Sequence, residues 1–154
     1  MRKLIIAMCA ILATVGLNAQ AAGSDEWIQL FNGKDLEGWT PKFTGFPLGV
    51  NHLNTFRVED GLFKVSYKNW SDFRNEFGHI FYEQPFSHYR LRVEYRFTGE
   101  QVTNGPAWAL RNNGIMLHSQ SPESMTLEQE FPASIEAQML GGNGSDARPT
   151  ANVC

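Results

Sequence analysis

Residues 88–97 place Tyr89, Leu91, Val93, Tyr95 and Phe97 at every odd position and His88, Arg90, Arg92, Glu94 and Arg96 at every even one. Strict alternation over this length is the period of a β-strand with one face in a core and one in water; a helix would scatter the apolar side chains around its whole circumference. The pattern predicts a half-buried antiparallel strand. Turn chemistry agrees with a chain of short strands: Asn32-Gly33, Asn104-Gly105-Pro106, Asn113-Gly114 and Gly141-Gly142-Asn143-Gly144 punctuate it. Phe56-Arg57-Val58, Glu59-Asp60-Gly61 and Leu62 to Tyr67 read as a hairpin, and further strands are expected at 28–31, 79–83, 115–118 and 134–140. Ser121-Pro122-Glu123 looks like a helix start, but Pro132 limits the helix to a short turn. Pro41 to Asn54 reads as a long Gly/Pro-punctuated loop. The fold class expected is all-β, a sandwich of antiparallel strands.

Composition enters through the aromatic and charged residues. Eleven Phe, 4 Tyr and 4 Trp in 154 residues suit a strand-rich domain with rings in its core. Thirteen Lys+Arg against 16 Asp+Glu argue against a nucleic-acid or anionic-membrane surface, because both need clustered cations to displace counterions.

Met1-Arg2-Lys3 followed by the charge-free run Leu4 to Leu17 has the form of a secretory signal, with Ala19-Gln20-Ala21 as the small-x-small cleavage site. Residues 1–21 are therefore expected to be a signal peptide and 22–154 the exported domain, periplasmic or secreted, with no membrane association after cleavage. Cys9 leaves with the signal. Cys154 is then a lone thiol in an oxidising compartment, whose partner is expected on another chain or beyond residue 154.

Four segments in order resemble one family. Leu30-Phe31-Asn32-Gly33-Lys34-Asp35-Leu36-Glu37-Gly38-Trp39 resembles the opening signature of the 3-keto-disaccharide hydrolase family, and Phe56 to Gly61 looks like its first hairpin. Arg111 to His118 is similar to its Asn-Ser-Gly strand, and Ile135 to Leu140 to its Glu-x-Gln strand. Two departures are visible: Asn113 replaces the commoner Ser, and His118 stands where many relatives have Arg. The resemblance implies a concanavalin-like β-sandwich (jelly roll) with a sugar site on its concave sheet. Relatives run on past the Glu-x-Gln strand, so it also implies that 22–154 is the front portion of the sandwich.

Period two puts Glu136 and Gln138 on one face of their strand and Ile135, Ala137 and Met139 on the other. A retaining glycosidase needs two carboxylates about 5 Å apart. Position 140 is Leu and 141 is Gly, so the second is missing from this strand. A glycoside oxidised at C3 asks for less, since the carbonyl acidifies C2–H and lets the C1 substituent leave by β-elimination, after which water adds back. Glu136 or His118 is then the candidate base. Arg111 or a metal ion would carry the oxyanion, and Gln138 and Asn113 would hold hydroxyls. Trp108 is a candidate platform for a sugar ring, and His79 a candidate substrate contact.

No His-x-His, His-Glu-x-x-His or acidic calcium loop occurs, and no cofactor is certain. A divalent cation would have to draw together His79, His118, Glu130 and Glu136. The partner expected is a carbohydrate, not nucleic acid. The alternatives are a non-catalytic carbohydrate-binding module on the same scaffold and a surface protein whose sandwich mediates protein contacts. Sugar identity and oligomeric state are not encoded in these motifs.

Overall fold

The computed structural model describes residues 27–154. The leader expected over 1–21, with Cys9 and the cleavage site, lies outside the described residues. Within them the chain forms seven strands and three 3₁₀ turns. The strands are β1 (Trp39–Phe43), β2 (Phe56–Glu59), β3 (Leu62–Val65), β4 (Gly78–Tyr82), β5 (Asn112–Leu117), β6 (Ile135–Leu140) and β7 (Asn152–Val153). Every pairing is antiparallel: β1 with β4, β2 with β3, and β5–β6–β7 in a third sheet. The architecture is all-β, that of the concanavalin-like sandwich expected.

The first signature segment makes a turn. Asn32 Oδ1 accepts from the backbone N–H of Lys34 (2.8 Å) and Asp35 (3.0 Å), while its Nδ2 donates to Asp35 Oδ1 at 2.6 Å. That Asn32 bond, with the N–H of Glu37, holds the Asp35 carboxyl below the usual carboxylate range. The turn delivers Trp39 to β1, where its indole N–H donates to Leu30 O at 3.1 Å. The strand expected at 28–31 enters no ladder among the described residues; its neighbour Asn32 commits the chain to this Asx turn instead.

Pro41, expected in a loop, is in β1 opposite Ile80. β1 has β4 as its one ladder partner among the described residues, and an edge strand tolerates a residue with no N–H. The hairpin of β2 and β3 forms where expected. Asp60 (φ 55°) and Gly61 (φ 72°) make its two-residue turn, with both residues in the left-handed region that suits the twist of the strands. A row of rings joins these two small sheets: Trp39–Phe63 at 5.5 Å, Phe63–Phe56 at 6.2 Å and Phe56–Phe43 at 5.3 Å between centroids. Phe43 and Phe56 are buried. The helix start at Ser121 yields a single 3₁₀ turn, Pro122–Ser124.

Residues 88–97 depart from expectation, since they enter no ladder among the described residues. Their alternation still turns the apolar side chains to one side. Leu91, Val93 and Tyr95 face Ile115, Ala137 and Met139 of β5 and β6 across a gap of about 240 Å³. Alternation reports that one face of a segment is apolar; it carries no information about which backbone lies beside it.

Candidate functional site

Strands β5 and β6 pair so that Asn112 meets Leu140, Gly114 meets Gln138 and Met116 meets Glu136, while Asn113, Ile115 and Leu117 meet Met139, Ala137 and Ile135. Directly opposed residues in an antiparallel ladder share a face. One face therefore carries Asn113, Ile115, Leu117, Ile135, Ala137 and Met139, and segment 88–97 lies across the gap from it, with Leu91, Val93 and Tyr95 still exposed. The other face carries Asn112, Gly114, Met116, Glu136, Gln138 and Leu140. β7 adds Asn152 to this second face, opposite Gln138.

The polar side chains of this face are joined in a chain of amides. Asn112 Nδ2 donates to Trp108 O (3.0 Å), Gln138 Nε2 to Asn112 Oδ1 (3.3 Å), and Asn152 Nδ2 to Gln138 Oε1 (3.2 Å) and Pro149 O (2.9 Å). Each bond fixes which end of its amide is oxygen and which is nitrogen. Glu136 leans from its own row over Gly114: a Cβ placed on Gly114 would lie 2.0 Å from Glu136 Oε1. The carboxylate thus occupies the place where residue 114 would have a side chain, across from Gln138. Among the described residues no donor meets that carboxylate. Its backbone continues the ladder past β7, with Glu136 N donating to Cys154 O (3.0 Å) and Cys154 N donating to Glu136 O (3.1 Å). The exposed Cys154 is accordingly the cross-strand neighbour of Glu136.

Trp108 lies in the 3₁₀ turn Ala107–Ala109 and joins the same face through the Asn112 bond to its carbonyl. The residue is 55% exposed, and its ring stacks on Phe77 with centroids 5.8 Å apart and planes 19° from parallel. Phe77 meets Phe131 at 4.9 Å, and Phe131 meets His79 at 5.6 Å. Trp108, Phe77, Asn112, Glu136 and Gln138 border one open concavity of about 3070 Å³, which His79, Arg111, Asn113 and His118 also line. His79, at the far end of the ring cluster, bonds through Nε2 to Glu130 O at 2.7 Å. Burial holds its imidazole below its ordinary pKa; the Glu130 carbonyl opposes that shift and the Lys42 charge adds to it.

The remaining candidates line the same concavity and make no bond to the Glu136 carboxylate among the described residues. Asn113 is on the opposite face, and its Oδ1 accepts from the N–H of Gly114 at 2.7 Å. Arg111 precedes β5 with φ 45°, lies beside Phe97 against Gly141, and donates through Nη1 to Gly142 O at 2.7 Å. His118 follows β5 with φ 48°, and its exposed ring packs on Tyr89 at 5.4 Å. Arg111 and His118 lie beyond opposite ends of the six-residue strand β5, which at about 3.3 Å per residue keeps them roughly 20 Å apart along the chain.

Asn112, Asn152 and Gly114 were not singled out from the sequence. Parity would have found the first: Ile115 and Leu117 are on the face toward segment 88–97, so Asn113 goes with them and Asn112 goes with Met116. Asn152 had no such signal, because β7 is only two residues long. Among the described residues no three His, Cys, Asp or Glu side chains gather as metal ligands. No helix among them is long and apolar enough to cross a membrane.

A family model described as the 3-keto-alpha-glucoside-1,2-lyase-like domain matches residues 26–154. Searches of curated proteins and of solved structures find no match.

Proposed function

The chain belongs to the family of the 3-keto-alpha-glucoside-1,2-lyase-like domain, a carbohydrate-active family, and from that premise we propose that it cleaves glycosides already oxidised at C3, after export. The observation that carries this reading is the carboxylate of Glu136, without a protein donor among the described residues, lying in one row with the oriented amides of Gln138 and Asn152. The amides suit the hydroxyls of a sugar, and the exposed Trp108 ring suits the apolar face of a pyranose.

Glu136 takes the proton from C2, and the electron pair forms the enolate with the C3 carbonyl. The enolate collapses to a C1–C2 double bond as the C1–O bond breaks, and the aglycone leaves as an alcohol after gaining a proton. Water then adds, hydroxyl to C1 and hydrogen to C2, so the net change is hydrolysis without oxidation or reduction. One base is enough, in keeping with the lack of a second carboxylate on β6. Gln138 Nε2 keeps a second N–H after its bond to Asn112 Oδ1 and is the amide donor of this row open to the developing oxyanion, since Asn152 Nδ2 gives one N–H to Gln138 Oε1 and the other to Pro149 O.

A carbohydrate-binding module is the second reading, favoured by the exposed ring of Trp108 stacked on Phe77. Incubating the full chain with a chromogenic glycoside and its 3-keto derivative, with and without chelator, separates the two. Release from the keto form alone is expected. Binding of the glycan without release supports the module, and release from the unoxidised glycoside contradicts elimination. Loss of release with chelator would assign the oxyanion to a metal.

A further inference from the structure

Gly114 is the one position of β5 and β6 on the Glu136 face that lacks a side chain. Its backbone does not require glycine: it is absent from the residues with positive φ and follows ordinary strand geometry. The N–H that donates to Asn113 Oδ1 would be supplied by any residue except proline. Glycine inside a strand forfeits packing and conformational entropy, and its presence there marks a close approach by another group. The approaching group is the Glu136 side chain, with Oε1, Cγ and Cδ at 2.0, 2.5 and 2.6 Å from where a Cβ would stand. These separations are too short for any side chain at 114 to coexist with the carboxylate in this place.

We propose that Gly114 is a positioning residue, which empties the place across from Gln138 so that the Glu136 carboxylate reclines into the amide row. Gln138 leans the same way, toward Asn112, one row further along. Any side chain at 114 would force Glu136 upright, out of line with the amides that hold the substrate. This inference rests on Glu136 being the base. A base displaced by about 1 Å loses on the order of a hundredfold in rate while substrate contacts elsewhere persist.

The test is a cycle of four full-length proteins: parent, Gly114→Ala, Glu136→Ala and the double variant, each read by thermal melting and by turnover of a 3-keto-glycoside. Gly114→Ala is expected to lower the melting temperature in the parent and to lower it far less when Glu136 is already Ala. It is also expected to cut kcat about a hundredfold with KM little changed. Equal melting shifts in both backgrounds, or an unchanged kcat, would overturn the proposal. Should Gly114→Ala fail to fold, folding of the double variant alone supports it and failure of both overturns it. A parent that does not turn over the keto-glycoside defeats the functional reading, while the melting cycle still decides what occupies the place beside Gly114.

Discussion

A carboxylate that is to take a proton from carbon has to be free of protein donors, fixed in direction and close to groups that hold the substrate. Glu136 meets no donor among the described residues, is confined by the gap at Gly114, and shares a row with Gln138 and Asn152. Glu136→Gln should lower kcat on a 3-keto-glycoside by roughly 10²-fold or more, with far-ultraviolet circular dichroism and melting unchanged. Retained turnover would remove Glu136 from the mechanism. His79, bonded to the Glu130 carbonyl, also bears on stability. Burial depresses its pKa below 6.5 in the folded chain, so the unfolded chain binds the extra proton first. Its contribution is fully present above about pH 6.5 and is lost as pH falls through the lower folded value. The melting temperature should therefore fall on acidification below pH 6.5, with a shallower fall in His79→Gln; identical slopes would contradict the half-buried neutral ring. That Glu136 and Gln138 share a face was legible in the sequence, because a Glu-x-Gln strand presents both on one side. The use made of Gly114 was not, since a glycine after asparagine reads first as a turn.

At the scale of elements, the site is a matter of register. Pairing Gly114 with Gln138 and Met116 with Glu136 places Asn112 in the polar chain and turns Asn113 away from it. Asn112→Ala should raise KM for the keto-glycoside several-fold, because it breaks the bonds to both Gln138 and the Trp108 carbonyl, whereas Asn113→Ala should leave KM unchanged. Steady-state kinetics on the two variants check this, and the reverse ranking would contradict the register. The hairpin and the strands β4, β5 and β6 could be read from alternation and turn residues. β1 was hidden by Pro41, which local preference assigns to a loop and which only an edge position permits. Segment 88–97 showed the strongest strand pattern in the chain and yet joins no ladder among the described residues, because its side chains fix which face is apolar and leave its backbone partner undetermined.

At the scale of the whole molecule, burial is sparse. Phe43, Phe56 and Met125, with Pro41 and Pro132, are the buried apolar side chains among the described residues, whereas Leu91, Val93, Tyr95, Ile135 and Val153 are exposed. A chain with this surface should bind an apolar dye and melt broadly, and it should associate as its concentration rises. A sharp cooperative melt of a monomer that binds no dye would contradict that expectation. The excess of acidic over basic residues fits a neutral ligand better than a polyanion. The central claim is proton abstraction at C2 followed by elimination, and isotope incorporation tests it most directly. The full chain is incubated in D₂O with a 3-keto-glycoside, and the released sugar is examined early by mass spectrometry and NMR. Deuterium at C2, acquired at the rate of aglycone release and lost in Glu136→Gln, is the result predicted. Release of a sugar that keeps its original hydrogen at C2 would contradict it.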